Sequence, residues 1–278
     1  MRTASSNADL RATGSGEGPR PSAAGSQTLM RGLDVIDAVA EGPMALAELA
    51  TKLGLTRSTT HRLATALLER RYLSFVPRLG YHVGPKLLEL GFIAQRQSDV
   101  VQTARLHLES LAAATEDTVH LGIVDGERAL YLDKIPGRRR VVISSRVGDR
   151  QPLTSTGLGK ALLLDHGPPH WEKVFNEDQA RGAPKADYEG WLQRMHGYVE
   201  QGRAFDLEEN EDQIRCVAAP IRDASGAIIA AISVSSAAQY MSDDRMAELS
   251  HQVRATANSV SADLGWSGGN TANKGTPA

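Results

Sequence analysis

The chain has 278 residues, of which 41% are hydrophobic and 23% are charged, and its formal net charge is −2 at pH 7. These values are typical of a globular protein with one large domain or two smaller ones, and no apolar run approaches the roughly 18 residues that span a bilayer. A single cysteine, Cys216, excludes an internal disulfide and a thiolate-rich zinc site. We therefore expect a cytoplasmic protein with no membrane partner, no metal and no cofactor.

Both ends of the chain are rich in small and polar residues. Residues 1–25 contain glycine, serine and proline but no hydrophobic core of a signal peptide, and residues 267–278 have a similar composition. Both segments are predicted to be disordered tails.

The segment that follows the first tail shows helical patterns. Apolar residues at helical spacing predict a first helix that ends at Gly42-Pro43, and a second, short helix over about 45–53. Gly54 supplies a tight turn after the second helix.

A third helix and a strand pair complete this region. The Thr56 hydroxyl can cap a helix that runs to about Arg70. The stretches "YLSF" and "YHVG", on either side of "VPRLG", predict two strands joined by a turn that carries Arg78. Three small helices followed by a hairpin predict a winged helix-turn-helix over 26–84.

The third helix has two kinds of side chain, apolar residues on one face and hydrogen-bond donors in its first two turns. Leu63 and Leu67 recur at helical spacing and are predicted to face the core, as is Thr60, whereas the other residues of the first two turns are hydrogen-bond donors. Such donors suit phosphates and base edges in a major groove. The candidates for contact with double-stranded DNA are Thr56, Arg57, Ser58, Thr59, His61, Arg62 and Thr65, with Arg78 at the tip of the wing.

Local charge agrees with this interpretation. Residues 54–84 carry five arginines and one acid, a net charge of +4, whereas residues 199–212 carry a net charge of −5. A solvated basic helix is the alternative, but the preceding "LAELATKLGL" and the following wing favour binding of a DNA operator.

The remainder of the chain predicts a second domain. Residues 85–115 form a linker helix in two pieces that break near Gln95–Asp99, and 116–266 alternate strand-like and helical patterns. The strand-like stretches include "VHLGIVDG", "RALYLDKI" and "VVISSRVG", and a hairpin turns at Asp223–Gly226. A last helix begins with Ser242 as its N-cap. These patterns predict an α+β sensor domain.

Several separated motifs resemble the IclR family of bacterial transcriptional regulators. They are "LMRGLDVIDAVAEGPMALAELATKLGLTRSTTHRLATALLERRYL", "YHVGPKLLELG", "LTSTGLGKALL" and "IRCVAAPIRDASGAIIAAISVSS". The resemblance covers about residues 26–266. It implies a winged helix-turn-helix domain, a linker helix and a GAF-like effector-binding domain, in a homodimer or a homotetramer.

The stretch "TSTGLGK" raises the possibility of an anion site. Hydroxyls and glycines at a helix start favour a carboxylate or phosphate, and an N-cap with glycines for close packing is the alternative. It is not a phosphate-binding P-loop, because Ala161 follows Lys160 where that motif needs a hydroxyl.

The resemblance also assigns an effector pocket. Its candidate positions are Ile143, Gly157, Leu158, Asp206, Ile214, Cys216, Ser233 and Ser235. Leu158 is bulkier than the alanine often found there. In this assignment backbone amides hold an acid group, and Asp206 and the two serines bond hydroxyls or a carbonyl. The alternatives are a solvated acid at Asp206, serines bonded to each other or to backbone, and a small buried hydrophobe at Cys216.

The resulting expectation is a repressor of a catabolic operon, modulated by a small carboxylate effector such as a sugar acid or keto acid. The alternatives are an activator that responds to an aromatic acid, a protein that binds another protein through 165–212, and an enzyme tethered to DNA. The histidines are scattered and no catalytic motif is present, so we name no catalytic residue. Arg138, Arg139 and Arg140 are expected in a solvated loop or over the mouth of the pocket.

Overall fold

The computed structural model describes residues 24–97, 99–140 and 143–268, and divides them into two units with the boundary between Ala94 and Gln95. The predicted disordered tails lie outside the described residues except at 24–25, where the first helix begins, and at 267–268. Within the described ranges, no helix combines the length and apolar character that a membrane span requires.

The first unit has the predicted order of three helices and a hairpin. Its elements are α1 (Ala24–Ala40), α2 (Leu46–Lys52), α3 (Arg57–Glu69), β1 (Leu73–Val76) and β2 (Gly80–Val83). A core of apolar residues from all five elements holds them together: Val35, Ala38, Val39, Leu49, Leu63, Ala64, Leu73 and Tyr81. The winged helix-turn-helix part of the predicted fold class is confirmed.

Local contacts explain where α3 begins and how the hairpin is attached. The Thr56 hydroxyl accepts a hydrogen bond from the backbone N–H of Thr59 at 3.2 Å and so caps α3 as predicted. Gly54 adopts a φ of +63°, which suits glycine in the turn before it. Met44 and Tyr81 exchange two backbone hydrogen bonds, of 3.0 and 2.8 Å, which tie the hairpin to the segment before α2.

The predicted linker consists of two helices, α4 (Pro85–Gln97) and α5 (Val100–Thr115). Asp99 caps α5 by accepting a bond from the N–H of Val101 at 2.9 Å, so the break falls within the predicted interval. Ala104 and Leu108 of α5 are fully buried in the core of the second unit. This helix is therefore part of the second unit's packing.

The second unit is built on a six-stranded antiparallel sheet in the order β5-β4-β3-β8-β7-β6. The strands are β3 (Thr118–Asp125), β4 (Arg128–Ile135), β5 (Arg150–Gln151), β6 (Ala204–Leu207), β7 (Ile214–Arg222) and β8 (Ile228–Ala237). The hairpin of β7 and β8 turns at Asp223–Gly226 as predicted, with a hydrogen bond from the N–H of Gly226 to the carbonyl of Asp223.

Helices cover both faces of this sheet. They are α6 (Gly157–Leu162), α7 (Pro168–Ala180), α8 (Tyr188–Gln201) and α9 (Asp243–Asp263), and a short 3₁₀ helix spans Ala238–Tyr240. Helices α5 and α9 bury their apolar residues against one face of the sheet, and α6, α7 and α8 pack against the other. The predicted Ser242 cap of α9 is present. The α+β class is confirmed, and the arrangement is consistent with a GAF-like domain.

One strand prediction is wrong. The stretch "VVISSRVG" begins with residues 141–142, which lie outside the described residues, and 143–149 form a loop instead of a strand. The ammonium group of Lys134 donates hydrogen bonds to the carbonyls of Ile143, at 2.8 Å, and Ser145, at 2.6 Å. A lysine therefore satisfies carbonyls that a neighbouring strand would otherwise bond.

Candidate functional site

The first turns of α3 present an exposed set of donors. Arg57, Ser58, His61 and Arg62 are exposed, and Thr59 and Thr65 are half-buried. The two residues that the spacing predicts to face inward, Thr60 and Leu63, are buried. The sequence pattern therefore describes the orientation of this helix correctly.

The hydroxyls at the start of α3 bond one another. Thr56 Oγ1 donates to Thr59 Oγ1 at 2.9 Å and lies 3.1 Å from Ser58 Oγ. Within the described part of the chain, no carboxylate pairs with Arg57 or Arg62. Their positive charge is thus available to an anion outside the protein.

Arg78 occupies a strained position at the tip of the wing. The N–H of Leu79 bonds the carbonyl of Val76 at 3.1 Å, so Pro77 and Arg78 are the central residues of a tight turn. Arg78 has a φ of +72°, a region that glycine or asparagine usually occupies in such a turn. An arginine held there at a conformational cost of about 1 kcal/mol marks a candidate functional side chain.

A small cavity lies on the α6 side of the sheet in the second unit. Its volume is about 30 Å³, enough for roughly one water molecule. Five of the predicted effector positions line it: Ile143, Asp206, Ile214, Cys216 and Ser235.

The other three predicted positions do not line the cavity. Gly157 lies directly behind it, because a Cβ at this position would meet Cys216 Cβ at 3.2 Å. Leu158 is buried in the core among α6, α7 and α8. Ser233 lies on the same face of β8 as Ser235, two residues earlier in the strand, and is buried outside the cavity lining. Thr156, the N-cap of α6, reaches the cavity in their place.

Asp206 is a buried acid in the cavity wall. Only 2% of its surface is exposed, and its Oδ1 accepts bonds from the N–H groups of Glu209, at 2.8 Å, and Asn210, at 3.4 Å. Burial raises the pKa of Asp206 to about 6, and the nearby charge of Lys160 opposes that rise. The alternative of a solvated acid is excluded by this burial.

Cys216 and Ser235 continue a buried polar chain from Asp206. Ser235 Oγ donates to Cys216 Sγ at 3.1 Å, and Cys216 Sγ lies 3.9 Å from Asp206 Oδ2. Burial raises the pKa of the Cys216 thiol, which keeps it protonated at neutral pH.

His120 is a cavity residue that sequence reasoning missed. Its Nε2 lies 2.7 Å from Ser145 Oγ and its Nδ1 lies 3.4 Å from Ser235 Oγ. Burial and, to a smaller extent, repulsion by the positive charge of Lys134 lower the pKa of His120 to about 3, so the imidazole is neutral. Its ring lies 5.0 Å from that of Tyr131, which also lines the cavity. The alternation of β3 places His120 on the face opposite the apolar one. The register with β8 sets His120 directly across from Ser233 and diagonally next to Ser235.

A salt-bridged segment closes one side of the cavity. Glu209 pairs with the fully buried Lys160 of α6 and, at 2.7 Å, with Arg194 of α8. Asn210 accepts a bond from the hydroxyl of Ser155 at 2.8 Å. Two of the six acids in the segment 199–212, Glu209 and, through Arg215, Glu208, are therefore paired with cations of the same domain.

The three arginines of residues 138–140 do not line the cavity, and Arg139 lines a very small neighbouring pocket that shares Ile143 and Ser235 with it. Arg139 donates to the buried carboxylate of Asp117 at 2.9 Å, and its guanidinium lies 5.1 Å from the ring centre of Tyr240. Arg138 and Arg140 are exposed.

Comparison with known proteins identifies relatives of both units. The model of the IclR helix-turn-helix domain matches residues 28–77, and that of the C-terminal part of the bacterial transcriptional regulator IclR matches 93–262. The chain is 31% identical to the HTH-type transcriptional regulator XynR of Escherichia coli, over 86% of this chain and 98% of that protein. It is 33% identical to the HTH-type transcriptional regulator BhcR of Paracoccus denitrificans, over 85% and 87% of the two chains.

Solved structures show the same fold. The repressor BlcR of Agobacterium tumefaciens superposes with a TM-score of 0.73 at 26% identity, over 87% of this chain and 98% of that one. The matched domains and the relatives named above are transcriptional regulators and not enzymes. The chain therefore belongs to the IclR family and is a DNA-binding transcriptional regulator.

Proposed function

We propose that the protein represses a catabolic operon and that a small carboxylate effector, a sugar acid or keto acid, modulates its affinity for the operator. The observation that carries the effector part of the proposal is the buried polar chain of Asp206, Cys216, Ser235 and His120 around one cavity. The sign of regulation follows the relative BlcR, whose structure is that of a repressor.

The DNA-binding part of the proposal rests on the exposed start of α3. This helix would enter the major groove with the donors of its first two turns, while Thr60 and Leu63 anchor it to the core. The proposed contact residues are Thr56, Arg57, Ser58, Thr59, His61, Arg62 and Thr65. Arg78 would reach the adjacent backbone or minor groove from the wing.

The chemistry of the cavity favours a ligand with several oxygen atoms. Asp206 can accept hydrogen bonds from ligand hydroxyls, while Ser235 and the neutral His120 can bond a hydroxyl or a carbonyl. Tyr131 and His120 are the aromatic side chains of the lining, and its other residues are aliphatic or polar and offer an aromatic ligand no stacking surface.

The size of the cavity implies that the effector opens it. A space of about 30 Å³ cannot hold a sugar acid, so the loop 143–149 or the segment 207–213 has to move when the ligand enters. Such movement offers a physical route from ligand binding to altered DNA affinity.

We propose further that the protein acts as a homodimer, with a tetramer as the alternative. Leu29, Met30 and Leu33 of α1 are 64%, 55% and 45% exposed, and such residues on one helix suit a contact with a second copy. Light scattering after size exclusion tests this, since a monomer at micromolar concentration contradicts it.

Thermal-shift titration with two groups of ligands tests the effector class. D-gluconate, D-xylonate and pyruvate form one group, and benzoate and 4-hydroxybenzoate form the other. We expect saturable stabilisation by at least one member of the first group, because a ligand that binds the folded state raises its stability. Stabilisation by the aromatic acids alone would favour the activator alternative and contradict the proposal.

A further inference from the structure

Strand β4 contains a bulge that reverses the alternation of its side chains. Leu121 of β3 pairs with Asp133, whereas the next residue of β3, Gly122, pairs with Tyr131, so Leu132 has no partner on β3. Side chains of a regular strand alternate between the two faces of the sheet, and one extra residue shifts that alternation. Asp133 therefore lies on the face opposite to Tyr131, which lines the cavity. Bulges of this kind often re-aim a side chain beside a functional site.

The residue after Asp133, Lys134, lies on the cavity face. It pairs with His120 across the two strands, and residues that pair in this way share a face of the sheet. The ammonium group of Lys134 donates to the carbonyls of Ile143, at 2.8 Å, and Ser145, at 2.6 Å, and both of these residues line the cavity. No carboxylate among the described residues pairs with Lys134. This lysine therefore holds the loop that forms one wall of the cavity.

That loop is held less strongly than the opposite wall. In the segment 207–213, Glu209 forms ion pairs with Lys160 and Arg194. The loop 143–149 forms no ion pair within the described part of the chain, and most of its residues are exposed. Because the cavity has to enlarge for a ligand to enter, the loop is the wall that we expect to move, and its carbonyls then leave Lys134.

Asp133 connects the same strand to α5 on the other face of the sheet. Its side chain is 9% exposed, and both carboxylate oxygens accept a hydrogen bond from Nη1 of Arg105, each at 3.0 Å. Oδ1 also accepts the backbone N–H of Lys134 at 2.8 Å. The Nε of Arg105 donates to Glu109, one turn further along α5, at 2.7 Å. Two adjacent residues of β4 thus bond the cavity loop on one face and α5 on the other.

Helix α5 leads along the chain to the DNA-binding unit. The boundary of the units follows Ala94, and α5 begins at Val100. The C-terminal end of α5 is anchored, because Arg139 and Arg245 donate to the carbonyl of Thr115 at 3.3 and 3.1 Å. A displacement applied to the middle of the helix is therefore larger at its N-terminal end, which is nearer in sequence to the DNA-binding unit.

We propose that Lys134 and Asp133 pass effector binding from the cavity to α5. Entry of the effector removes the loop carbonyls from Lys134, β4 shifts locally, and Asp133 carries the shift to Arg105. Lys134 and Asp133 are positioning residues in this scheme and contact neither effector nor DNA. The inference rests on the proposed function, because it requires an effector that alters operator affinity.

A double-mutant cycle on DNA affinity tests the route without any ligand. Fluorescence anisotropy on the protein's own upstream DNA compares the wild type, Lys134→Met, Asp133→Asn and the double variant. Methionine keeps the length of the side chain and cannot donate. We expect Lys134→Met to weaken DNA binding about fivefold, the low end of allosteric couplings, because it releases the loop as the effector would. In the Asp133→Asn background it should change affinity by less than about twofold, the usual error of such cycles.

Two results of the cycle would overturn the inference. An equal loss in both backgrounds would show that Lys134 acts by another route, and a Lys134→Met variant that binds DNA like the wild type would show that the loop bonds are not coupled to DNA binding. Glu109→Gln is the matched control, because it removes the other carboxylate partner of Arg105 and leaves the bond to β4. Lys134→Met should keep its full effect in that background. Circular dichroism melts establish which variants are folded, and Arg105→Gln, at a half-exposed residue, replaces Asp133→Asn if the latter is not.

A second measurement leaves Lys134 in place. The DNA affinities of the wild type, Asp133→Asn and Glu109→Gln are measured with and without sodium D-gluconate, D-xylonate or pyruvate, and calorimetry gives the ligand affinity of each protein. We expect Asp133→Asn to bind the active acid like the wild type while that acid loses most of its effect on DNA affinity, and Glu109→Gln to retain both. If the acid keeps its full effect on Asp133→Asn, the inference is wrong and the proposed function stands. If no acid alters DNA binding by the wild type, the proposed effector class fails, and the ligand-free cycle still decides whether β4 couples the loop to DNA binding.

Discussion

Replacing Asp206 by asparagine should stabilise the protein above neutral pH. Asparagine has nearly the same shape and keeps an oxygen that can accept the N–H of Glu209, now 2.8 Å from Asp206. It removes a charge from a side chain that is 2% exposed. The variant therefore isolates the cost of holding a carboxylate in this cavity wall.

The magnitude follows from the raised pKa. Burial moves the pKa of Asp206 from an ordinary 3.8 to about 6, which corresponds to about 3 kcal/mol of lost stability at high pH, since each tenfold change in dissociation is worth about 1.4 kcal/mol. This figure already includes the attraction of Lys160, which lowers the pKa and so opposes the effect of burial. The cost is fully present above pH 6. It declines as pH falls from 6 to 4, and it is absent below pH 4, where both states hold the proton.

Urea unfolding followed by tryptophan fluorescence at pH 8, 6 and 4 measures the effect, since Trp171 and Trp191 are buried in the same domain. We expect Asp206→Asn to be more stable than the wild type by at least about 1 kcal/mol at pH 8, and equal to it at pH 4. Asp212→Asn, at an exposed acid, should change nothing. A variant that is less stable than the wild type by the same amount at all three pH values would refute the reasoning. A carboxylate kept at such a cost is expected at a functional position.

The remaining predictions concern the first unit. Arg62→Ala should weaken operator binding about tenfold in electrophoretic mobility shifts while the Tm stays unchanged, and a Tm lowered by several degrees would show a structural role instead. Arg78→Gly should keep or raise the Tm, because glycine tolerates the φ of +72°, and should still lower DNA affinity; unchanged affinity would remove the wing from the interface. Gly80→Ala should destabilise the unit by at least about 2 kcal/mol in circular dichroism melts, because the new Cβ would lie 2.2 Å from the carbonyl oxygen of Met44, whereas Gly32→Ala, at an open helical position, should not. Equal melts for the two glycine variants would contradict this close contact.

The first unit follows closely from its sequence because its signals are local. The Thr56 cap, the turn at Gly54 and the burial of Leu63 each depend on residues a few positions apart, where spacing and hydrogen-bond chemistry decide the conformation. The hairpin turn at Asp223–Gly226 was predictable for the same reason.

The cavity depended on contacts that the sequence does not display. His120 and Ser235 are 115 residues apart and meet only because β3 pairs with β8. The loop after Ile143 has the composition of a strand, but Lys134, from a neighbouring strand, bonds its carbonyls instead. The family resemblance correctly predicted five of the residues that line the cavity. It also predicted Leu158, which lies in the adjacent core instead.

A cleft of the second unit that is lined by three arginines was likewise not predicted from the sequence. Its arginines come from three separate parts of the chain: Arg128, Arg150 and Arg181. Each is paired with an acid, so the net charge of a sequence window does not reveal the cluster. Their shared environment appears only when the fold brings the ends of β4, β5 and α7 together.

Fluorescence anisotropy of the protein on its own upstream DNA, titrated over a range of salt concentrations, tests the central claim that α3 grips a duplex. Each phosphate contact contributes to the slope of log affinity against log salt concentration, so we expect a steep negative slope for the wild type. The slope should become shallower for Arg57→Ala and Arg62→Ala, and it should stay the same for Arg138→Ala. Binding that is independent of salt, or that these two α3 variants leave at wild-type strength and slope, would contradict the account.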